Sequence, residues 1–343
     1  MNEENAAATA SRTRRATLKT ISDLTGLSLS TVSLGLRGGE ALREETVRKI
    51  TDAAASVGYV PDRAGVRLRT GKTNVVALVL DGADDSIDFA RHAIRGVGHG
   101  IRGTRYHLTV TPEFDQSQSV DSIRYILEHR TADGVIITHT GAHDPRVKML
   151  TDAKFPFVTH GRTEFLHQHP FHDFRSEAFA ELAVERLASK GCKSIMLMIG
   201  DDKTFNYQNI VGAFQAASTR LGIEARLIDP NIDRATAAEL RQLGRGMATD
   251  PGRPDGYISA SEMRAISIIG GLIDGGAALG TDVHVVSKQT SDILTTFFPH
   301  IDTIEEDVYA AGRELARLLL RRIKGEPVEA LQSLSEPVPH WRS

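Results

Sequence analysis

The 343-residue chain is 41% hydrophobic and 25% charged, which is typical of a soluble globular protein and excludes a disordered or fibrous one. Its length predicts two or three domains, each with its own core. Cys192 is the only cysteine, so an internal disulfide bond and a cysteine-rich zinc site are excluded. The first residues lack the apolar core of a secretion signal, and no apolar run reaches 18 residues, so we expect a cytoplasmic protein.

The net charge of -3 is unevenly distributed. Residues 1–72 contain twelve Lys and Arg against eight Asp and Glu, so they carry +4 and the rest of the chain carries -7. This asymmetry suggests an anionic partner for the first part only. An excess this small is also typical of a solvated surface, and it needs support from the residue pattern.

A first amphipathic helix is predicted just before residue 26. Leu18, Ile21 and Leu24 fall at i, i+3 and i+6 and form an apolar stripe, and Thr17 is a candidate N-cap. The Gly26 turn then separates this helix from the next one. Two short helices around such a turn predict a helix-turn-helix.

The second helix begins after Ser28, a second candidate N-cap, with Val32 and Leu36 facing inward. A third helix, from residue 43 or 44 to 57, ends at Gly58. In a helix-turn-helix the second helix enters the major groove of DNA by its N-terminal end. A small three-helix bundle without DNA-binding activity is the alternative that this pattern leaves open.

Within this region, backbone N–H groups with Ser28 and Thr31 can hold phosphate. Leu29, Ser30 and Leu34 then face the base edges.

The runs ATLKTISDLTGLSLSTVSLGLRG and RKITDAAASVGYVPDRAGVRLRTGKT resemble the head of the lactose/galactose repressor (LacI) family. The resemblance implies a hinge after Pro61 that becomes helical on DNA, where Leu68 wedges into the central minor-groove step and kinks the duplex. The DNA-binding candidates are Thr17, Ser28, Leu29, Ser30, Thr31, Ser33, Leu34, Arg37, Tyr59, Arg63, Gly65 and Leu68.

Three positions depart from the family pattern. Leu34 stands where members commonly carry Arg, so the bidentate contact that Arg makes to guanine is lost and the operator differs at that base. Asp62 replaces the usual Asn, and Gly65 replaces Ala. Since Gly costs roughly 0.5 to 1 kcal/mol in a helix, we expect a disordered hinge in the absence of DNA.

From residue 73 the pattern changes to buried apolar strands that alternate with helices, which predicts a parallel α/β body of two similar lobes. The family resemblance continues to about residue 338 and implies a fold like that of periplasmic sugar-binding proteins. The predicted domains are a disordered tail at 1–15, the helix-turn-helix domain at 16–60, a hinge at 61–72 and the two-lobed effector-binding and dimerisation domain at 73–338. We assign 73–161 plus 288–303 to the N-lobe and 173–287 plus 304–338 to the C-lobe.

The resemblance also implies a small-molecule effector bound at strand ends between the lobes. Three usual positions of that site have changed: Asn209 stands near the usual Arg, Ser261-Glu262 replaces an Asn-Asp pair, and residues 287–290 replace a Gly-aromatic-Asp-Asp stretch. The candidate effector-binding residues are His160, Arg162, Asp173, Arg175, Asn209, Ser261, Glu262, Lys288 and Gln289.

Several of these candidates are cationic, which favours an anionic effector such as a sugar phosphate or sugar acid. A neutral sugar is the alternative, in which the cations pair with carboxylates such as Glu164 or Glu262. No cofactor is implied in either case.

Other features have ordinary explanations. His160, His167, His169 and His172 lack the spacing and the partners of a metal site and are interpreted as loop or pocket residues. The glycines at 96, 98 and 100 lie inside a helical pattern and not between a strand and a helix, which excludes a dinucleotide loop. Gly-Lys-Thr at 71–73 is interpreted as linker, and Cys192 as the filling of an apolar gap.

These patterns predict a homodimeric, sequence-specific transcriptional regulator, acting as a repressor on a pseudo-palindromic operator under the control of a metabolite. The alternative function is a metabolite-binding module whose N-terminal helices contact a protein. A sugar-processing enzyme is disfavoured because no nucleophile and base appear in a catalytic order. Whether the effector releases the operator or promotes its binding stays open.

Overall fold

The computed structural model describes residues 16–37, 41–60, 65, 67, 70–81, 87–113, 120–164, 168–200 and 203–342. The chain divides into two compact units, Met1–Thr73 and Asn74–Ser343, which we call the head and the body. The predicted tail at 1–15 lies outside the described residues. No described helix has both the length and the apolar character needed to span a bilayer.

The head contains three helices: α1 (Leu18–Thr25), α2 (Leu29–Gly35) and α3 (Glu44–Ser56). Their core is built from Ile21, Val32, Ile50 and Ala54, each less than a tenth exposed. The predicted helix-turn-helix is therefore confirmed as a fold.

One predicted core residue of the head is wrong. Leu24 is 58% exposed, and Thr25 is buried in its place, with its hydroxyl donating to the carbonyl oxygen of Ile21 at 2.7 Å. At 100° per residue, position 25 projects between positions 18 and 21, whereas position 24 lies beyond them. The helical angle outweighs the apolar side chain.

The predicted caps of α1 and α2 form. Thr17 and Thr20 make a reciprocal capping box, and the Ser28 hydroxyl accepts from the amide of Thr31 at 3.2 Å. Gly26 ends α1 at φ 69°, a conformation that glycine adopts without strain. The turn between the helices is thus fixed locally by three residue types.

The body contains two six-stranded sheets, with strand orders β11-β5-β4-β3-β1-β2 and β12-β10-β9-β8-β6-β7. The first sheet is parallel, and the second is parallel except for β12, which runs antiparallel to β10. The strands of the first sheet are β1 (Val75–Asp81), β2 (His107–Glu113), β3 (Gly134–Ile137), β4 (Phe157–His160), β5 (Phe171–Phe174) and β11 (Gln332–Ser335). Those of the second are β6 (Ser194–Met198), β7 (Glu224–Leu227), β8 (Gly256–Ser259), β9 (His284–Gln289), β10 (Asp302–Glu305) and β12 (Val338–His340).

Helices pack on these sheets and complete two α/β lobes, the N-lobe around the first sheet and the C-lobe around the second. The N-lobe helices are α4 (Ile87–Gly100), α5 (Asp121–His129), α6 (Pro145–Asp152) and α12 (Val308–Ile323). The C-lobe helices are α7 (Ser176–Ser189), α8 (Phe205–Leu221), α9 (Ala237–Thr249), α10 (Glu262–Asp274) and α11 (Ile293–Phe297). The two-lobed fold predicted from the alternating pattern is confirmed.

The predicted lobe boundaries at 288–303 and 304–338 are wrong. β10 pairs in register with β9, so the chain stays in the C-lobe to residue 305 and 288–303 belongs to that lobe. α12 then buries its apolar face on the N-lobe sheet, and β11 joins the same sheet. The chain therefore crosses between the lobes after β5, after β10 and after β11.

The glycines of α4 have a packing role. A side chain on Gly96 would collide with the carbonyl oxygen of Tyr309, and one on Gly100 would lie 2.6 Å from the Cβ atom of Ala316. Nothing lies within 4 Å of the corresponding position on Gly98. Two of the three glycines thus allow α4 and α12 to approach closely.

Candidate DNA-binding and effector sites

The N-terminal end of α2 presents an exposed surface of hydroxyl groups. Ser28, Leu29 and Ser30 are exposed, and the Ser28 hydroxyl lies 2.8 Å from the hydroxyls of both Ser30 and Thr31. Because the first N–H groups of a helix have no intrahelical acceptor, this end offers backbone donors beside the hydroxyls. Such a surface can contact phosphate and base edges without charged side chains.

The remaining candidates on α2 lie further along the helix. Thr31, Ser33 and Leu34 are half-buried, so part of each side chain is accessible. Arg37 is exposed, and its Nε atom donates to the carbonyl oxygen of Ser33 at 2.8 Å. The structure therefore brings together the α2 candidates from residue 28 to residue 37.

Two candidates lie on other elements of the head. Thr17 is exposed at the start of α1. Tyr59 packs against the helical core, and its amide donates to the carbonyl oxygen of Ala54 at 2.9 Å. Part of the role of Tyr59 is thus to close the three-helix bundle.

Arg63 and Leu68 lie outside the described residues, as does Asp62. Gly65 is exposed and helical, as are Arg67 and Thr70. The Gly71 amide donates to the carbonyl oxygen of Arg67 at 2.8 Å, and its φ of 70° is typical of a glycine that ends a helix. Gly71 therefore marks the C-terminal end of the helical conformation seen at these residues.

A buried carboxylate, Glu306, joins two of the predicted effector residues. Glu306 follows β10 directly and is 4% exposed. Its Oε2 atom lies 2.8 Å from Nζ of Lys288 on β9, and its Oε1 atom lies 3.4 Å from Nε2 of His160 at the end of β4. Burial alone would raise the pKa of Glu306, but Lys288 and His160 outweigh burial and hold that pKa below its ordinary range.

A cleft of about 580 Å³ lies beside this cluster and is lined by both lobes. Gln289 and Glu306 form part of its wall, and the Gln289 side-chain oxygen accepts from the Thr303 hydroxyl at 2.6 Å. α4 lines it from the N-lobe, and α11 with the loop before it lines it from the C-lobe. The position and size are those of a small-molecule site.

The other predicted cations are paired with carboxylates. Arg162 contacts Asp173 at 2.6 Å and Glu177 at 2.9 Å. Arg175 contacts Glu336 at 3.0 Å on the surface. Burial raises the pKa of Asp173 although Arg162 opposes it, so this pair is a partly buried structural contact.

The C-lobe candidates form a separate group. The Ser261 hydroxyl caps α10 by accepting from the Arg264 amide, and Glu262 is 5% exposed. Glu262 accepts from the hydroxyls of Thr290 and Ser291, each at 2.9 Å, and so orders the loop after β9. Asn209 is half-buried on α8.

Comparison with known proteins points to a class of regulators. A periplasmic binding protein-like domain matches residues 184–343. The HTH-type transcriptional regulator AglR of Rhizobium meliloti (strain 1021) is 27% identical, over 88% of this chain and 86% of its own. The regulator CelR of Thermobifida fusca is also 27% identical, over 95% of this chain and 97% of its own. These matches support a transcriptional regulator of the LacI family.

Solved structures show the same fold over almost the whole length. A lac repressor dimer bound to operator and an anti-inducer has a TM-score of 0.81 at 18% identity and covers 96% of this chain and 98% of its own. A complex of the regulator CelR with cellobiose has a TM-score of 0.69 at 23% identity and covers 96% and 99%. AglR and CelR are named as HTH-type transcriptional regulators, which supports a DNA-binding regulator.

Two histidines of the body are structural. His169 contacts the hydroxyls of Thr163 at 2.9 Å and Thr159 at 3.3 Å, and burial lowers its pKa. Nδ1 of His172 lies 2.9 Å from the Ser333 hydroxyl. His167 lies outside the described residues, and no group of three or more His, Cys, Asp or Glu in the described part could hold a metal ion.

Cys192 is buried, and burial followed by the nearby Asp255 raises the pKa of its thiol to about 11. The thiol is therefore protonated at neutral pH, as expected of a residue that fills an apolar gap.

Sequence reasoning missed Glu306, although its place directly after a strand was a signal for a cleft residue.

Proposed function

We propose that this regulator binds an inverted-repeat operator as a dimer, with α2 of each copy in a major groove. The observation that carries the proposal is the exposed hydroxyl cluster at the start of α2, in the part of the chain that has a charge of +4. The proposed working division is a DNA-binding domain at 16–60, a hinge at 61–72 with Leu68 in the minor groove, and an effector-binding body at 73–338. The protein acts in the cytoplasm and is not an enzyme.

Selection of DNA from a random pool tests this proposal. We expect an inverted repeat whose half-sites are about one helical turn, roughly 10 base pairs, apart. At the base facing Leu34, we expect no selection of guanine, because Leu cannot make the bidentate contact of Arg. If no sequence is enriched, with or without sugars present, the head contacts a protein and the DNA proposal is wrong.

We infer that the effector is a neutral sugar, although the cationic candidate residues in the sequence favour an anionic one. The pairing of these cations supports the change, since Lys288 and His160 share Glu306, while Arg162 and Arg175 have carboxylate partners of their own. An anionic ligand that binds through Lys288 and His160 would have to displace the buried Glu306 carboxylate from them, at a cost on the order of several kcal/mol. Buried carboxylate and amide groups instead suit sugar hydroxyls.

The proposed sugar contacts are His160 of the N-lobe and, from the C-lobe, Lys288, Gln289, Glu306, Asn209, Ser261 and Glu262. A relative that binds a neutral disaccharide is known, because one of the solved structures is a complex with cellobiose. Of these residues, Gln289 and Glu306 line the cleft, whose volume of about 580 Å³ lies within the range of small-molecule pockets.

A thermal-shift screen of neutral mono- and disaccharides, sugar acids and sugar phosphates tests the effector class. We expect a neutral sugar to raise the melting temperature in proportion to RT ln(1 + [L]/Kd). The double variant Lys288→Met with Glu306→Gln should lose this response. A matched control that neutralises the exposed pair Glu224 and Arg226, 2.9 Å apart, should keep it.

A shift produced only by sugar acids or sugar phosphates would overturn the neutral-sugar inference. An unchanged response in the Lys288 and Glu306 double variant would show that the sugar binds elsewhere.

A further inference from the structure

The two lobes touch through backbone atoms at a place where the chain does not cross between them. Gly141, in the N-lobe loop after β3, pairs with Thr204 of the C-lobe as an antiparallel bridge. The Phe205 amide donates to the carbonyl oxygen of Thr140 at 3.0 Å. We call residues 138–144 and 204–205 the interlobe bridge.

The C-lobe side of the bridge is the first turn of a long helix. Thr204 is the N-cap of α8, and its hydroxyl accepts from the Tyr207 amide at 3.2 Å. Phe205 is the first helical residue, and an amide at that position has no acceptor within its own helix. The N-lobe carbonyl of Thr140 supplies that acceptor and meets the positive end of the helix dipole.

The N-lobe side is held by a buried arginine. Arg146 is 7% exposed, and it donates to the carbonyl oxygens of Thr138 at 3.2 Å and His139 at 3.0 Å. Its guanidinium also contacts Asp144 at 2.8 Å and Glu113 at 2.7 Å. Arg146 therefore binds the start of the loop, at Thr138 and His139, and its end, at Asp144, and these contacts fix the direction of the loop.

Two further features keep this loop in one conformation. The Asp144 carboxylate accepts from the Gly141 amide at 3.2 Å. His139 has a φ of 53°, a conformation that is uncommon for a residue other than glycine and persists only where the surroundings enforce it. The loop therefore presents the Thr140 carbonyl in a fixed direction.

We propose that Arg146 is a positioning residue for lobe closure, which holds the Thr140 carbonyl where it caps α8 and so favours the bridged arrangement of the lobes without any effector. This inference is independent of the identity of the sugar and of the operator. It makes lobe closure a built-in equilibrium that an effector shifts but does not create.

Phe205 allows a clean test, since proline is favoured at the first helical position and Thr204 already has the extended backbone that precedes proline (φ -79°, ψ 149°). Phe205→Pro removes the amide N–H that donates to Thr140 and also the phenyl ring. Phe205→Ala, the matched control, removes the ring and keeps the donor. Spin labels on exposed Glu128→Cys and Gln215→Cys, in chains diluted with unlabelled protein, report the distance between the lobes.

In the proline variant, we expect a second population with a longer distance between the labels. The ratio of open to closed lobes should rise on the order of twofold to tenfold, because one hydrogen bond is lost. The alanine variant should keep the wild-type distribution. Identical distributions in both variants would overturn the closing role of the bridge.

Residue-resolved hydrogen exchange tests the part played by Arg146. The Phe205 amide should be protected in the wild type and should exchange several-fold faster in Arg146→Lys. An ammonium has three donors and cannot reproduce the planar set of contacts that the guanidinium makes to two carbonyl groups and two carboxylates. The Gly222 amide at the other end of α8, which bonds within its own helix, should be unaffected and controls for general destabilisation. Unprotected exchange of Phe205 in the wild type, or unchanged exchange in Arg146→Lys, would overturn the proposal.

Discussion

Ser30→Glu is expected to weaken binding to the selected operator on the order of 100-fold or more at ~0.1 M salt. Ser30 is exposed beside Ser28, where the proposed phosphate and base contacts converge. A carboxylate at this point repels the phosphate backbone, and each dimer brings two such carboxylates to the operator. The loss of binding free energy should therefore be twice that caused by one such carboxylate.

The fold of the head should tolerate this change. Ser30 lies in the first turn of α2, where a negative charge is favourable to the helix dipole. The melting temperature should therefore stay the same or rise slightly. A loss of affinity without a loss of stability identifies Ser30 as part of the DNA surface.

Ser30→Gln is the matched control, because it has nearly the same size and shape as Glu and no charge. We expect it to lose much less affinity, and fluorescence anisotropy over a range of salt concentrations measures both variants. Equal affinities for Ser30→Glu and wild type would place α2 away from DNA and would favour the protein-contact function.

The helix-turn-helix was predictable because its signals are local. Thr17, Ser28 and Gly26 each set a helix end through contacts within three or four residues. The one error, Leu24 in place of Thr25, came from weighing hydrophobicity above helical angle. Capping and turn residues thus predict where the helices begin and end. Counting 100° per residue around α1 would also have predicted its buried face.

The division into lobes was less predictable, because both sheets are built from similar strands. β5, β10, β11 and β12 have the sequences FHDF, DTIE, QSLS and VPH, which lack an apolar run. These strands form because neighbouring strands supply hydrogen-bond partners for their backbones. Such pairing is not visible in the hydrophobic pattern of a single strand. The crossing points were therefore placed in the wrong segments.

The charge partners in the effector site could not be predicted either. His160 and Lys288 meet Glu306, and Arg175 meets Glu336, whereas the carboxylates considered from sequence were Glu164 and Glu262. Such pairs depend on which strand ends converge in space. The proposal of a neutral effector therefore rests on these pairs and not on the sequence pattern.

Acid should destabilise the body through His172, which is 6% exposed on β5. Burial, and then repulsion from His160, lower the pKa of His172 from 6.5 to about 4, although Glu314 and Glu306 oppose the shift. Between these two values the unfolded chain binds a proton that the folded chain does not. Stability therefore falls as the pH drops from 6.5 towards 4, by up to an order of 3 kcal/mol from this group.

The variant His172→Asn isolates this contribution, since Asn can keep a hydrogen bond to the Ser333 hydroxyl and does not titrate. Between pH 7.5 and pH 5, we expect the wild-type melting temperature to fall roughly 4 to 8 °C further than that of the variant, at equal protein concentration. Other groups titrate equally in both proteins, so the difference between the two curves belongs to His172. Parallel curves would mean that His172 takes up its proton in the folded body, and that the β5 environment is more accessible to water than its burial indicates.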